Sequence, residues 1–124
     1  FVDTLTYAKF NVLHWHVVDD QSFPLESEAF PELSEGGSWS SQERYTSEDI
    51  QDLVEYARLR GVRVIPEFDM PGHTSAWREA HPELFASACL QANQRGAFDP
   101  ANPDTFKFLE EVLESWTTKA FSSE

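Results

Sequence analysis

The sequence predicts an α/β fold built on a strand, a helix and a second strand, with the two strands parallel. Three stretches carry that expectation. Val12 to Val18 and Val62 to Phe68 are apolar runs rich in β-branched and aromatic side chains. Between them Ile50, Leu53, Val54 and Ala57 recur at helical spacing. Both runs end in carboxylates, Asp19-Asp20 after the first and Asp69 after the second.

Residues 1 to 10 read as the end of a helix, with Val2, Leu5 and the stem of Lys9 on one side and Asp3 and Thr6 on the other. Val12 to Val18 is apolar on both alternating faces, so a strand buried on both sides is expected. Gln21 to Arg44 is a polar excursion holding Pro24, Pro31, Gly36 and Gly37, with room for a short helical turn. Thr46 then stands as an N-cap with Asp49 closing a capping box, Arg58 and Arg60 crowd the last turn, and Gly61 marks the C-cap. Strand Val62 to Phe68 follows at once, completing a βαβ unit with a right-handed crossover. Residues 70 to 101 are irregular, Thr74 to Ala80 forming a short helix among Pro71, Pro82 and Pro100. Asn102-Pro103 caps a last helix whose apolar stripe is Phe106, Leu109, Leu113 and Trp116 and whose Glu110, Glu111 and Glu114 face water.

At 124 residues and 14.2 kDa, with 40% hydrophobic content, the chain is long enough for one domain. A two-stranded parallel sheet nevertheless leaves both edges open, which suits a piece of a larger α/β fold better than a complete one. Nine basic against 22 acidic residues give a formal charge of -13, which disfavours nucleic acid and anionic membrane surfaces and reads as a solvated acidic exterior. The run Glu26, Glu28, Glu32 and Glu35 belongs to that exterior. No apolar run approaches the roughly 18 residues of a membrane span, and no leader-like n-region and h-region open the chain. Cys89, the single cysteine, has neither an internal disulfide partner nor a second thiol for a metal pair.

In α/β architectures, sites form at the C-terminal ends of strands, where Asp19, Asp20, Asp69 and His73 all fall. Period-two alternation puts Glu67 and Asp69 on one face of their strand, and Leu13, Trp15, Val17 and Asp19 on one face of theirs. If these faces coincide, Asp19 approaches His73, and a carboxylate on one ring nitrogen fixes the imidazole tautomer and stabilises its protonated form. The plainer alternative has Asp19 or Asp20 capping the loop and His73 capping a turn. His14-Trp15-His16 invites a metal site, but the strand runs on through Val17 and Val18, so two core histidines bonded to polar neighbours are the expectation. Trp39 and Trp77 either stack on a sugar or cover the core.

With these residues in hand, the chain resembles the family 20 glycoside hydrolases, the β-N-acetylhexosaminidases. Lys9-Phe10-Asn11-Val12-Leu13-His14-Trp15-His16-Val17-Val18-Asp19-Asp20-Gln21-Ser22-Phe23-Pro24 is similar to their second barrel strand and its loop. Tyr45-Thr46, Glu55 to Gly61 and Glu67-Phe68-Asp69-Met70-Pro71-Gly72-His73-Thr74 resemble the helix and third strand that follow. The resemblance covers most of residues 1 to 85 and is weaker over Ser87 to Ala101. There Cys89 resembles a family cysteine whose disulfide partner comes later than Glu124.

That resemblance implies a (β/α)8 TIM barrel, of which residues 1 to 124 are a part holding strands 2 and 3, with no second domain. It implies a glycosidase that removes terminal β-N-acetylglucosamine or N-acetylgalactosamine with retention, the substrate's own acetamido oxygen being the nucleophile. A glutamate protonates the leaving oxygen and an adjacent aspartate orients the acetamido group, both in a Gly-Asp-Glu motif that this sequence does not contain. The residues present take supporting roles: Asp19, with Asp20 as its alternative, and His73 as a relay behind that glutamate, and Asp69 buried at the barrel rim. No cofactor or metal is implied. The partners implied are an amino-sugar glycan and a second subunit in a homo- or heterodimer, in a secreted or lysosome-like setting. The isolated chain is expected to be inactive and marginally stable. Two other readings are a metal-dependent amidohydrolase-like barrel using His14, His16, Asp69 and His73, and a noncatalytic truncated product that keeps loop surfaces for a protein or glycan.

Overall fold

The computed structural model describes residues 1–86 and 96–121, so Cys89 lies outside the described residues. Helix α1 (Val2–Tyr7) buries Val2 and half-buries Leu5. Lys9 does not extend that face. It stands past the helix, exposed, at φ 63°, with its amide donating to the Thr6 carbonyl at 3.0 Å, and this left-handed residue turns the chain out of α1.

Strands β1 (Val12–Val18) and β2 (Arg63–Phe68) pair in parallel. The register is one to one from Val12↔Arg63 to His16↔Glu67 and then steps to Val18↔Phe68, leaving Val17 as an extra residue in β1. Burial on both faces, expected from the apolar pattern, is reached only at Val17 and Val18. Leu13 and Val64 pack against Val2, Ala57 and Val62 on the helix side, whereas Val12, His14, His16 and Ile65 are exposed on the other. The histidines are therefore not core residues among the described residues, because no element covers that face of the pair.

Helix α2 (Pro31–Gly37) lies within the Gln21 to Arg44 excursion. Helix α3 (Ser47–Arg58) carries the expected capping box: the Asp49 amide donates to Thr46 Oγ1 at 3.1 Å, and the Thr46 amide donates to the Asp49 carboxylate at 2.9 Å. Gly61, at φ 71°, lies beyond the helix, and the Val62 amide reaches back to the Ala57 carbonyl at 2.9 Å. That reversal feeds β2 directly. Thr74 to Ala80, expected as a short helix, forms only a 3-10 turn at Ser75–Trp77, and a second such turn follows at Pro82–Leu84.

Helix α4 (Pro103–Ser115) starts at Asn102, whose side chain accepts the Asp104 amide at 3.0 Å, and continues into a single π-helical turn, Trp116–Ala120. Its buried residues are Thr105, Phe108 and Val112, continued by Trp116, whereas Phe106 is 61% exposed. The buried stripe thus runs one position ahead of the expected Phe106, Leu109 and Leu113, and the two coincide at Trp116. Phe106 and Phe108 sit in the same turn, and the one that faces the aromatic cluster is buried. That cluster centres on Trp77, fully buried, with ring centroids 4.7 Å from Phe23, 5.5 Å from Phe98 and 6.2 Å from both Phe108 and Trp116. Trp77 is a core residue and not a sugar platform, while Trp39 is 75% exposed.

Adjacent glycines in α2 test this packing. A Cβ on Gly37 would lie 2.6 Å from Phe23 Cβ and 2.9 Å from the Ala76 carbonyl oxygen, whereas one on Gly36 would meet only Glu79 at 3.5 Å. Chemical denaturation should find Gly37→Ala destabilising by about 1–3 kcal/mol through overpacking. Gly36→Ala should be neutral or stabilising by up to about 1 kcal/mol, since alanine is the better helix former.

Candidate active site

The extra residue in β1 decides which side chains meet. Before it, even-numbered residues of β1 share a side with odd-numbered residues of β2, as in His16↔Glu67. After it, the pairing is Val18↔Phe68, and Asp19 comes onto the side that carries His16, Glu67 and Asp69. Strict alternation from Leu13 through Asp19 had placed Asp19 on the opposite side from His16. Instead His16 Nε2 lies 3.1 Å from Asp19 Oδ2.

His73 reaches the same carboxylate from the loop after β2. Its backbone is left-handed at φ 58°, a conformation that a non-glycine residue rarely adopts and that tends to occur at functional sites. His73 Nδ1 is 2.8 Å from Asp19 Oδ1, and the same oxygen accepts the Asp20 amide at 2.6 Å. Asp19, not Asp20, therefore bonds His73. Asp20 instead accepts the Ser75 amide at 2.9 Å, tying β1's loop to the 3-10 turn. Asp69 is a more distant neighbour, its carboxylate 3.8 Å from His73 Nδ1. Its side chain is 36% exposed, so the expected burial at a rim is not present among the described residues.

A second carboxylate extends the group downward along the strands. Glu67 Oε1 lies 2.7 Å from His16 Nδ1, and Glu67 Oε2 makes an ion pair with His14 Nε2. Histidines and carboxylates thus alternate in a continuous series, His14, Glu67, His16, Asp19, His73. Sequence reasoning reached Asp19, His73 and Asp69, grouped His16 with Asp69 and His73 only as a metal ligand, and gave Glu67 no role beyond sharing a face with Asp69. The available signal was the match of two alternations, His14 with His16 and Glu67 with Asp69, at the ends of paired strands.

The electrostatics follow from these contacts. Hydrogen bonds from the Asp20 amide, then from His73 and His16, hold the Asp19 carboxyl at about 2, below its usual 3.8. The Asp19 bond raises His73 above its usual 6.5, and the bonds to Glu67 and then Asp19 raise His16. Glu67 is lowered in turn, first by its bond to His16. Because both nitrogens of His16 face carboxylates, its doubly protonated form is the one that satisfies both bonds.

Among the described residues, two groups bring ligand atoms within 4.8 Å of one another: His16, Glu67 and Asp69, and Asp19, Asp20 and His73. The set His14, His16, Asp69 and His73 suggested for an amidohydrolase-like metal site does not gather as one group. A metal at either group would compete for nitrogens already bonded to carboxylates.

The glycosyl hydrolase family 20 catalytic domain matches this chain over residues 1–124. Beta-hexosaminidase subunit beta of Felis catus is 50% identical over 115 residues, which is 90% of this chain and 22% of that protein. The Homo sapiens subunit beta is 50% identical over 111 residues, 87% of this chain and 20% of that protein. Among solved structures, the chitobiase of Flavobacterium johnsoniae superposes with a TM-score of 0.83 at 38% identity, covering 92% of this chain and 18% of that one. The family 20 β-N-acetylhexosaminidase of Streptomyces coelicolor superposes at 0.80 with 28% identity, covering 96% and 26%. The chain spans about a fifth of the length of the curated relatives it matches.

The pH dependence of stability has a definite sign. His16 and His73 are raised above 6.5, so their carboxylate bonds add stability that is fully present below pH 6.5 and is lost as pH rises through their folded-state values. Asp19 is lowered from 3.8 to about 2, so its contribution is present above 3.8 and is lost as pH falls toward 2. Melting temperatures measured from pH 4 to 9 should fall above pH 6.5, and Asp19→Asn should flatten that fall. In NMR titrations the same substitution should move His73 and His16 back toward 6.5.

Proposed function

Because the chain belongs to glycosyl hydrolase family 20, we propose that the protein carrying it hydrolyses terminal β-linked N-acetylglucosamine or N-acetylgalactosamine with retention. The observation that carries this reading is the 2.8 Å bond between Asp19 and His73 at the C-terminal ends of two parallel strands. The substrate's acetamido oxygen attacks the anomeric carbon, and the intermediate is opened by water. A glutamate protonates the leaving oxygen and then deprotonates the water. Asp19 and His73 stand behind it: the carboxylate orients the imidazole and keeps its proton available, and the imidazole orients the glutamate. Asp69 lies beside His73 and adds negative charge that favours the same imidazolium.

On this reading residues 1–124 form part of a catalytic (β/α)8 barrel, its second and third strands with their helices, and no second domain. The open face bearing His14 and His16 supports it, since in a closed barrel an inward face is covered by side chains from the strands across the barrel. The sequence contains no Gly-Asp-Glu run, so the acid and the acetamido-orienting aspartate come from elsewhere in the intact protein. The partners are an amino-sugar glycan and a second subunit, in keeping with relatives named as alpha and beta subunits. A secreted or lysosome-like acidic setting fits imidazoles held toward their protonated forms. Among the described residues no helix is long and apolar enough to cross a membrane.

A chromogenic N-acetylglucosaminide assay tests the division of labour. The purified 124-residue chain should give no turnover, and the intact protein should turn over. Measurable hydrolysis by the short chain would sink the assignment of the acid to another segment. In the intact protein, Asp19→Asn should lower kcat/KM about 10- to 100-fold, the scale for losing a group that orients a catalytic residue.

A further inference from the structure

We propose that His16 is a positioning residue for the Asp19–His73 pair, and that Glu67 holds His16 in place. This rests on the relay reading above and assigns it two residues that the family resemblance did not supply.

The two carboxylate oxygens of Asp19 have different partners. Oδ1 carries two bonds, from His73 Nδ1 at 2.8 Å and from the Asp20 amide at 2.6 Å. Oδ2 carries the bond from His16 Nε2 at 3.1 Å. A carboxylate held only through Oδ1 can still turn about its Cβ–Cγ bond, and a bond on Oδ2 opposes that turn. The turn matters because His73 has a second carboxylate within reach, Asp69 Oδ2 at 3.8 Å. An Asp19 free to rotate would let the imidazole drift toward Asp69, and orientation errors of this kind are costly when a proton must be delivered along one direction.

His16 needs fixing in its turn, since its side chain is 43% exposed. Glu67 supplies this through Oε1, 2.7 Å from His16 Nδ1, while its other oxygen is anchored by His14. The bond to Glu67 follows from the His16↔Glu67 register, whereas the bond to Asp19 depends on the extra residue in β1. Without it, Asp19 would project from the other side of the sheet, and His16 would have no carboxylate above it. The bulge thus serves to stack His16, Asp19 and His73 in one series.

Steady-state kinetics on the intact enzyme, with folding checked by melting, tests this through two substitutions that divide the imidazole. Glutamine places its amide nitrogen near the position of His16 Nε2, toward Asp19. Asparagine places its nitrogen near that of Nδ1, toward Glu67. His16→Asn should lower kcat about tenfold with KM changed less than about twofold, while His16→Gln should keep kcat within about threefold of the parent. Adding His16→Asn to Asp19→Asn should change kcat by less than about twofold, because the effect passes through Asp19. Glu67→Gln, which keeps the volume, should lower kcat in the parent and not in the Asp19→Asn background, and it decides the matter if His16→Asn fails to fold. Equal losses in the two His16 variants, or undiminished losses in the Asp19→Asn background, would overturn this inference and leave the relay intact. A parental kcat in Asp19→Asn alone would instead remove the relay, and this inference with it.

Discussion

A single inserted residue governs this site. Two parallel strands in uniform register keep like-numbered positions on fixed sides, so His16 and Asp19, three residues apart, would point in opposite directions. The step from His16↔Glu67 to Val18↔Phe68 removes that constraint by leaving Val17 unmatched. Asp19 then sits above His16 and below the loop bearing His73, and its contacts with both imidazoles follow from that change of side. The apolar content of Val17 and Val18 makes the arrangement affordable, because both are buried and hold the bulge against the core.

The loops that complete the site are held by aromatic packing. Trp77 lies on the 3-10 turn just after His73, and its ring meets Phe23 from β1's loop, Phe98, and Phe108 and Trp116 from α4. The position of His73 is thus coupled to the main core through a four-residue link. Polar contacts add direction to this packing: the Ser75 amide donates to Asp20, and Thr74 Oγ1 donates to the Pro71 carbonyl at 3.1 Å. A His73 backbone at φ 58° is sustained because the turn on either side of it is fixed by groups that would lose burial if it relaxed.

Charge is organised differently from the rest of the exterior. The chain carries a net -13, and most of its carboxylates face water. At the strand ends two carboxylates, Glu67 and Asp19, are each flanked by imidazoles. Glu67 raises the affinity of His16 for a proton, Asp19 that of His73 and His16, and the fields of Asp69 and Asp20 act on His73 in the same sense. The protonation of His16 and His73 thus depends on the carboxylates bonded to them, on a scaffold of two strands.

The sequence by itself determined the order of elements, both ends of α3, the strand identities, and the gathering of Asp19, Asp69 and His73 at one end. These depend on local chemistry: capping residues, β-branched runs, and a Pro-Gly break after a strand. Its long motifs also carried the family. Neighbouring residues alone could not decide questions of side and cover. Phe108 faces the core in place of Phe106 because an aromatic cluster formed from distant segments lies on that side. Trp77 is fully buried because four rings from elsewhere surround it. His14 and His16 are exposed because no element among the described residues covers that face of the pair, while Asp19 joins His16 because the register shifts at Val17. Each of these is set by what a residue meets across the fold, and period and propensity describe only what it is next to in the chain.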